Sequence, residues 1–254
     1  HRNTVSEECD DGNTTAGDGC DAECQNVFTL STDNEQEIFV AKYDSAGVIQ
    51  WAKHFGGVAR DDIYDIVATS DGSFYLGGSF CGGGGGTCEA TLGAGENDTL
   101  STLGGVDGFV ARYSAAGDLE WVHRIGGESD QVVLRLALGA EDSVYVLGGG
   151  CRSAACTTQI PQNTAEGQIL MLQGEGASDI FWIHYDKDGT YIDHGSLAGT
   201  GEESARGLSV PESGSVFIGG HVDNNPEAYL DGAHVNTAGK SDIFVKEVST
   251  EPTW

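Results

Sequence analysis

The sequence predicts an all-β protein: a β-propeller-like array of four-stranded antiparallel blades, preceded by a small disulfide-rich segment. The first observation is a phrase that occurs four times, at intervals of 70, 72 and 63 residues. A repeat of this length indicates side-by-side copies of one supersecondary unit. The second observation is that the intervening segments are short and rich in β-branched and aromatic residues. The four copies read Glu-Ile-Phe-Val-Ala-Lys-Tyr at 37–43, Asp-Gly-Phe-Val-Ala-Arg-Tyr at 107–113, Asp-Ile-Phe-Trp-Ile-His-Tyr at 179–185 and Asp-Ile-Phe-Val-Lys-Glu-Val at 242–248.

Four strands are expected in each repeat. In the first copy the phrase is followed by a turn at 44–47 and by a segment that contains Trp51, and two more apolar segments follow. Their boundaries of Gly, Asp and Ser are typical of strands joined by tight turns, and no segment sustains an apolar period of 3.6 residues. We place the repeats near 36–80, 106–149 and 178–221, with a partial one at 241–249, in a domain that spans 28–254.

Both faces of the repeated strand are largely apolar. Phe39, Ala41 and Tyr43 share one face, and Ile38 and Val40 lie on the other. A sheet of this kind packs against a neighbour on each side, as propeller blades do. A β-solenoid coil is shorter than this repeat, and a sandwich has no reason to repeat its sequence.

Three full repeats are too few to close a ring of four to eight blades. Either the sequence is part of a longer chain, or copies assemble to complete a ring, or the blades stack openly. Because open strand edges are rarely left bare, we expect another chain or further sequence to cover them.

The repeat resembles a known bacterial family. The phrase, the Gly-x-x-x-Trp stretches that end at Trp51 and Trp121, the Gly-Gly pairs after them and the Asp-Gly-Ser turn at 71–73 are similar to the seven-bladed β-propeller repeat called SBBP. The third copy departs from the pattern, with Asp193 at the Trp position. The resemblance covers about residues 36 to 248 and implies a propeller, but no particular activity.

Residues 1–27 form a separate cysteine-rich head with too few apolar residues for a core. The string from Cys9-Asp-Asp-Gly-Asn through Gly-Asp-Gly-Cys20 to Cys24 resembles a cysteine-rich repeat of secreted myxobacterial proteins. Disulfides would stabilise such a segment. That family usually has a further cysteine upstream, which is absent here, so one of the three cysteines lacks an internal partner.

The other four cysteines form two local pairs, Cys81 with Cys88 and Cys151 with Cys156, at equivalent places in two repeats. We expect two small disulfide loops. The total of seven cysteines then leaves one thiol, which indicates a truncated N-terminus, a bond to another chain or a free cysteine.

A calcium site is one reading of the acidic residues in the head. Hard cations bind carboxylate and carbonyl oxygens, although the spacing is not that of an EF-hand. The other reading is a series of Asx turns, in which these side chains bond their own backbone. The candidate ligands are Asp10, Asp11, Asn13, Asp18 and Asp21.

Acidic residues also recur inside the repeats, at 60–62, 128–130 and 201–203. They could line one side of the array and bind a cation or a basic partner, but we expect them to be solvated hairpin tips. The long insertions at 79–106, 150–178 and 221–241 differ from one another, as recognition loops on a repeated scaffold do.

Composition limits the partners. With 40 acidic and 12 basic residues the net charge is −28, which disfavours nucleic acid because phosphate binding requires Lys and Arg. No apolar run approaches the roughly 20 residues of a membrane helix. Expected disulfides place the protein outside the cytosol, in the extracellular space or at the cell surface.

These observations lead to one expected function and two alternatives. We expect a secreted, non-enzymatic structural or adhesive protein that binds other protein chains in a homo-oligomer, a fibre or a larger secreted assembly. A secreted polysaccharide hydrolase or lyase that uses some of the many carboxylates is the first alternative. The second is a ligand-binding module of a larger secreted polypeptide.

Overall fold

The computed structural model is all-β. Within its described residues it contains one 3-10 turn, Ala140–Asp142, and no helix long and apolar enough to cross a bilayer. The described residues are 37–83, 88–95, 98–150, 156–163, 167–174, 178–197, 199, 202–211, 215–223, 228–230, 233–235 and 241–248.

Strands follow one another throughout the described chain. The first ten are β1 (Ile38–Tyr43), β2 (Ile49–Gly57), β3 (Arg60–Ala68), β4 (Phe74–Gly82), β5 (Glu89–Thr91), β6 (Thr99–Ser101), β7 (Asp107–Tyr113), β8 (Leu119–Ile125), β9 (Gln131–Leu138) and β10 (Val144–Gly150). The others are β11 (Thr157–Pro161), β12 (Ile169–Gln173), β13 (Asp179–Tyr185), β14 (Tyr191–Leu197), β15 (Glu202–Ser209), β16 (Val216–Asp223), β17 (Ala228–Leu230), β18 (Ala233–Val235) and β19 (Ser241–Val248).

The strands form four consecutive antiparallel sheets. Sheet 1 has the order β1-β2-β5-β6, sheet 2 has β3-β4-β7-β8, and sheet 3 has β9-β10-β13-β14. Sheet 4 contains β15-β16-β19 among the described residues, and β11-β12 and β17-β18 are separate hairpins. The predicted four-stranded antiparallel sheets are confirmed.

Each internal sheet is shared between two consecutive repeats. Sheet 2 takes β3 and β4 from the first repeat and β7 and β8 from the second, and sheet 3 combines the second and third in the same way. The predicted strands are therefore present, but the sheet boundary lies half a repeat away from the sequence boundary. Because of this offset, the chain passes from one sheet to the next within each repeat.

The repeated Phe fits over a glycine of the neighbouring strand. Phe109 of β7 is opposite Gly78 of β4, and Phe181 of β13 is opposite Gly148 of β10. A Cβ atom at Gly78 would lie 2.9 Å from the Phe109 ring, and one at Gly148 would overlap the Phe181 ring. The glycines are needed here because a larger residue would displace the ring.

Within the described residues, three apolar cores hold the stack together, one between each pair of successive sheets. Strand β7 contributes to two of them, with Phe109 and Tyr113 packed toward sheet 1 and Val110 toward sheet 3. Strand β13 does the same, with Phe181 toward sheet 2 and Trp182 toward sheet 4. Burial of both faces is thus a property of the internal sheets.

Substitution Gly148→Ala is expected to destabilise the protein by about 1–3 kcal/mol, because the added methyl group overpacks the core at Phe181. Chemical denaturation monitored by circular dichroism measures the change. Gly207→Ala is the matched control, since a Cβ at this exposed strand glycine meets no atom within 4 Å. Equal stability of the two variants would contradict the packing described here.

Candidate functional site

The candidate functional site is the junction between successive sheets, where two sets of contacts recur. The first set joins a Trp to a turn. Trp51 Nε1 donates to the carbonyl oxygen of Ala115 at 3.2 Å, and Trp121 Nε1 donates to that of Lys187 at 2.9 Å. Ala115 and Lys187 occupy the same position in the turns after β7 and β13. Each Trp therefore holds the turn of the next sheet.

The first set includes a further contact with the same turns, made by the residue two positions after each Trp. Lys53 Nζ donates to the Gly117 carbonyl at 2.8 Å, and the His123 Nε2 to Gly189 carbonyl distance is 2.7 Å. Because a carbonyl only accepts, His123 must donate through Nε2. Burial lowers the pKa of His123, which favours the neutral ring.

The turns are preorganised for this role. The Asp186 carboxylate accepts the N–H groups of Asp188 and Thr190 at 2.9 and 2.7 Å. Gly189 has φ +80°, a conformation that L-residues rarely adopt. Ser114 and Gly117 close the equivalent turn with the same pattern. The Trp–turn contact was not predicted from the sequence. The repeat of Trp and of the turn Gly at nearly the same interval could have indicated it.

The second of the two sets of recurring contacts is made by the insertions. Strand β5 of the first insertion pairs with Gly56 and Gly57 at the end of β2, and Gln159 of the second insertion forms a bridge with Gly126 after β8. At Gly57 a Cβ would overlap the carbonyl of Glu89. The Gly-Gly pairs after each Trp strand therefore allow close approach of an insertion hairpin.

The last residue of the phrase anchors the other side of the same insertions. The Tyr113 hydroxyl donates to the Leu92 carbonyl at 2.8 Å, and the Tyr185 hydroxyl donates to the Pro161 carbonyl at 3.1 Å. Burial raises the pKa of both phenols, so both keep the proton that they donate. Each insertion thus ties one sheet to the next, in addition to any recognition role.

Among the described residues, several carboxylates at these junctions are enclosed rather than solvated. Asp61 accepts the N–H groups of Gly57 and Cys81 at 2.8 and 3.0 Å, and burial raises its pKa. The expectation that the acidic turns are solvated tips is therefore wrong for Asp61 and for Glu203, which are both buried. The backbone partners of Asp61 and the burial of both carboxylates could not be inferred from the spacing.

Asp107 is a further enclosed carboxylate, with a strongly raised pKa. It accepts the N–H of Leu103 at 2.9 Å and that of Gly127 at 3.4 Å, and Arg124 lies 3.8 Å away. Burial raises its pKa to about 6, since the charged form loses hydration. Its bonds are to backbone groups, so its role at the junction is structural.

Two open clefts lie beside the junctions. One of about 730 Å³ is lined by residues of sheets 1 and 2 and of the first insertion, including Lys53, Asp98 and Asp118. Another of about 370 Å³ includes Glu202 and His221 of sheet 4. Within the described part of the chain, no group of three or more His, Cys, Asp or Glu side chains is placed to hold a metal ion.

The disulfide prediction is confirmed for Cys81–Cys88, which joins the end of β4 to the residue before β5. Cys156 is also disulfide-bonded. Its predicted partner, Cys151, lies outside the described residues. So do the cysteines of the head and its candidate calcium ligands: Cys9, Cys20, Cys24, Asp10, Asp11, Asn13, Asp18 and Asp21.

Comparison with known proteins gives one partial similarity. No family model matches the chain. A segment of 119 residues is 34% identical to the regulatory protein FlaEY of Caulobacter vibrioides. The match covers 47% of this chain and 12% of that protein.

Substitution Trp121→Phe is expected to cost about 0.5–1.5 kcal/mol in unfolding free energy, because the Lys187 carbonyl loses its indole donor. Trp51→Phe should cost a similar amount at the equivalent contact. Denaturant titration measures both, with Tyr43→Phe, at an exposed position, as a control outside the junctions. A loss no larger than that of the control would contradict a structural role for the Trp–turn contact.

Substitution Asp107→Asn should change the dependence of stability on pH. A carboxyl whose pKa rises from 3.8 to about 6 on folding contributes stability at low pH that is lost as pH rises toward and through 6. The melting temperature of the variant, relative to wild type, should therefore increase between about pH 4 and pH 7.

A contrasting variant provides the control for Asp107. The Asp71 carboxylate accepts from Thr69 Oγ1 and the Ser73 N–H, which lower its pKa to about 2. Asp71→Asn should reduce the melting temperature at neutral pH, with the difference shrinking as pH falls below about 4. The same pH trend in both variants would argue against burial as the cause at Asp107.

Proposed function

We propose that this chain is a secreted, non-enzymatic structural or adhesive protein, in which propeller-type repeats form a scaffold for contacts with other proteins at the cell exterior. The observation that carries the proposal is the doubled junction: a Trp–turn contact and a bridging hairpin recur between successive sheets. Such a structure resists separation of its sheets and presents hairpins at regular intervals.

Contacts between inner strands support the propeller interpretation. Asp65 of β3 accepts the N–H of Leu136 in β9 at 2.9 Å, and Arg135 of β9 donates to the Arg206 carbonyl in β15 at 3.0 Å. The first strands of sheets 2, 3 and 4 are therefore neighbours, as blades around an axis would have them. The SBBP resemblance points to the same architecture.

The disulfide bonds support a location outside the cytosol. The Cys81–Cys88 disulfide and the bonded Cys156 are typical of oxidising compartments. The resemblance of the head to secreted myxobacterial repeats agrees with this. The acidic head is proposed to bind Ca²⁺ through Asp10, Asp11, Asn13, Asp18 and Asp21.

The hairpin of the second insertion is the proposed contact surface. In β12, Leu170 and Leu172 pack against the core between sheets 2 and 3, whereas Ile169 and Met171 on the other face are about half exposed. An outward apolar side chain on an anchored hairpin can contact a partner at little entropic cost, because the backbone is already ordered.

The second candidate is a module of a longer polypeptide. It is favoured by the match to FlaEY, where the similar segment is 12% of the protein. The regulatory role in that name belongs to FlaEY. A module would use the same hairpins as contact surfaces but would be held in place by the rest of its chain.

Binding of the labelled, purified chain to intact cells of its source, measured by flow cytometry, tests the proposal. Ile169→Ser/Met171→Ser should reduce binding by about tenfold or more, since truncation of apolar anchors has effects of this size. The control is Val58→Ser/Ile192→Ser, which changes two exposed apolar residues elsewhere.

A glycan turnover assay tests the enzymatic alternative. Incubation with a polysaccharide panel should give no product by chromatography. Product formation that Glu202→Gln abolishes would replace the proposal with the hydrolase or lyase alternative. Absence of cell binding by the wild-type chain would also overturn it.

A further inference from the structure

Among the described residues, the two outermost faces of the sheet stack carry the residue types that the internal faces bury. The phrase residues of sheets 2, 3 and 4 are equivalent by register, since Phe109, Phe181 and Phe244 all oppose a glycine of a neighbouring strand. Phe39 is equivalent to Phe109, because each pairs with the residue three positions after the Trp of the next strand. Exposure at one repeat position can therefore be compared directly between sheets.

One end of the stack is the face of β1 that contains Phe39 and Tyr43, here called the leading face. Phe39 is 67% exposed and Tyr43 is 60% exposed. At the same positions in sheets 2, 3 and 4, the Phe is buried in all three and the last residue is also buried. These buried equivalents are Phe109, Phe181, Phe244, Tyr113, Tyr185 and Val248.

The other end is the face of β19 that contains Ile243 and Val245, here called the trailing face. Ile243 is 88% exposed and Val245 is 76% exposed. Their counterparts in earlier sheets are buried against the following sheet. These counterparts are Ile38 and Val40 in sheet 1, Val110 in sheet 2, and Ile180 and Trp182 in sheet 3.

We propose that the leading face of one copy of this chain stacks on the trailing face of a second copy, which continues the sheet array from molecule to molecule. This inference rests on the proposed function and names the partner. Each internal junction already shows such a pair of faces in contact, so the two ends of one molecule supply the two halves of one more junction.

The geometry of the contact has two consequences. The two faces are different, so the contact is heterologous and generates rows or a closed ring rather than an isolated twofold dimer. A net charge of −28 on each copy opposes association, and salt screens that repulsion. Stacking through apolar faces should therefore strengthen as ionic strength rises, whereas ion pairing would weaken.

Sedimentation velocity of the full chain over a wide range of concentration tests the proposal. The average mass of the wild-type protein should rise above 26.5 kDa with concentration, and further with salt. The leading-face variant Phe39→Ser/Tyr43→Ser and the trailing-face variant Ile243→Ser/Val245→Ser should each remain at 26.5 kDa.

A mixture of the two variants gives the most direct test of heterologous stacking. The leading-face variant keeps a native trailing face and the trailing-face variant keeps a native leading face, so the mixture should form dimers although neither variant associates alone. Val58→Ser/Ile192→Ser should associate like wild type. Circular dichroism and melting temperature verify that every variant is folded.

Three results would overturn the proposal. The first is a wild-type mass of 26.5 kDa at every concentration and salt level, which would also be the outcome for ends covered within one molecule. The second is a dimer that only one of the two variants disrupts, and the third is a mixture that stays monomeric. In each case cell binding by the wild-type chain would leave the proposed function intact, with a different partner.

Discussion

The structure depends on one constraint: a β-sheet with two apolar faces is most stable in water when both faces are covered. Strands β7 and β13 are buried along most of their length because neighbours lie on both sides. Close packing there requires a glycine opposite each repeated Phe, as at Gly78 and Gly148. These glycines and the repeated Phe residues are therefore two halves of one packing arrangement.

Polar contacts then determine how the covered sheets are joined. In the first two junctions, Trp51 and Trp121 hold the following turn, while Tyr113 and Tyr185 hold the insertions. Because each internal sheet takes strands from two repeats, the chain itself crosses every junction. Stacking, hydrogen bonding and connectivity thus reinforce one another, which is consistent with the proposed scaffold role.

Much of the fold could be predicted from sequence because its strands follow local sequence patterns that repeat along the chain. The four phrases gave the strands and their equivalence, and Cys81 and Cys88 gave a disulfide that the structure confirms. The half-repeat offset of the sheets could not be predicted, since a strand pattern does not state which neighbour it pairs with. The enclosure of Asp61 was missed for a related reason: one of the N–H groups that it accepts, that of Cys81, lies 20 residues away in sequence.

The central claim is that each internal sheet is shared between consecutive repeats with a Phe ring seated over a glycine. Nuclear Overhauser contacts between selectively labelled phenylalanine rings and glycine α-protons measure this pairing directly. The account predicts cross-peaks from Phe109 to Gly78, from Phe181 to Gly148 and from Phe244 to Gly220. Absence of these three contacts, with the strands of each sequence repeat paired only among themselves, would contradict it.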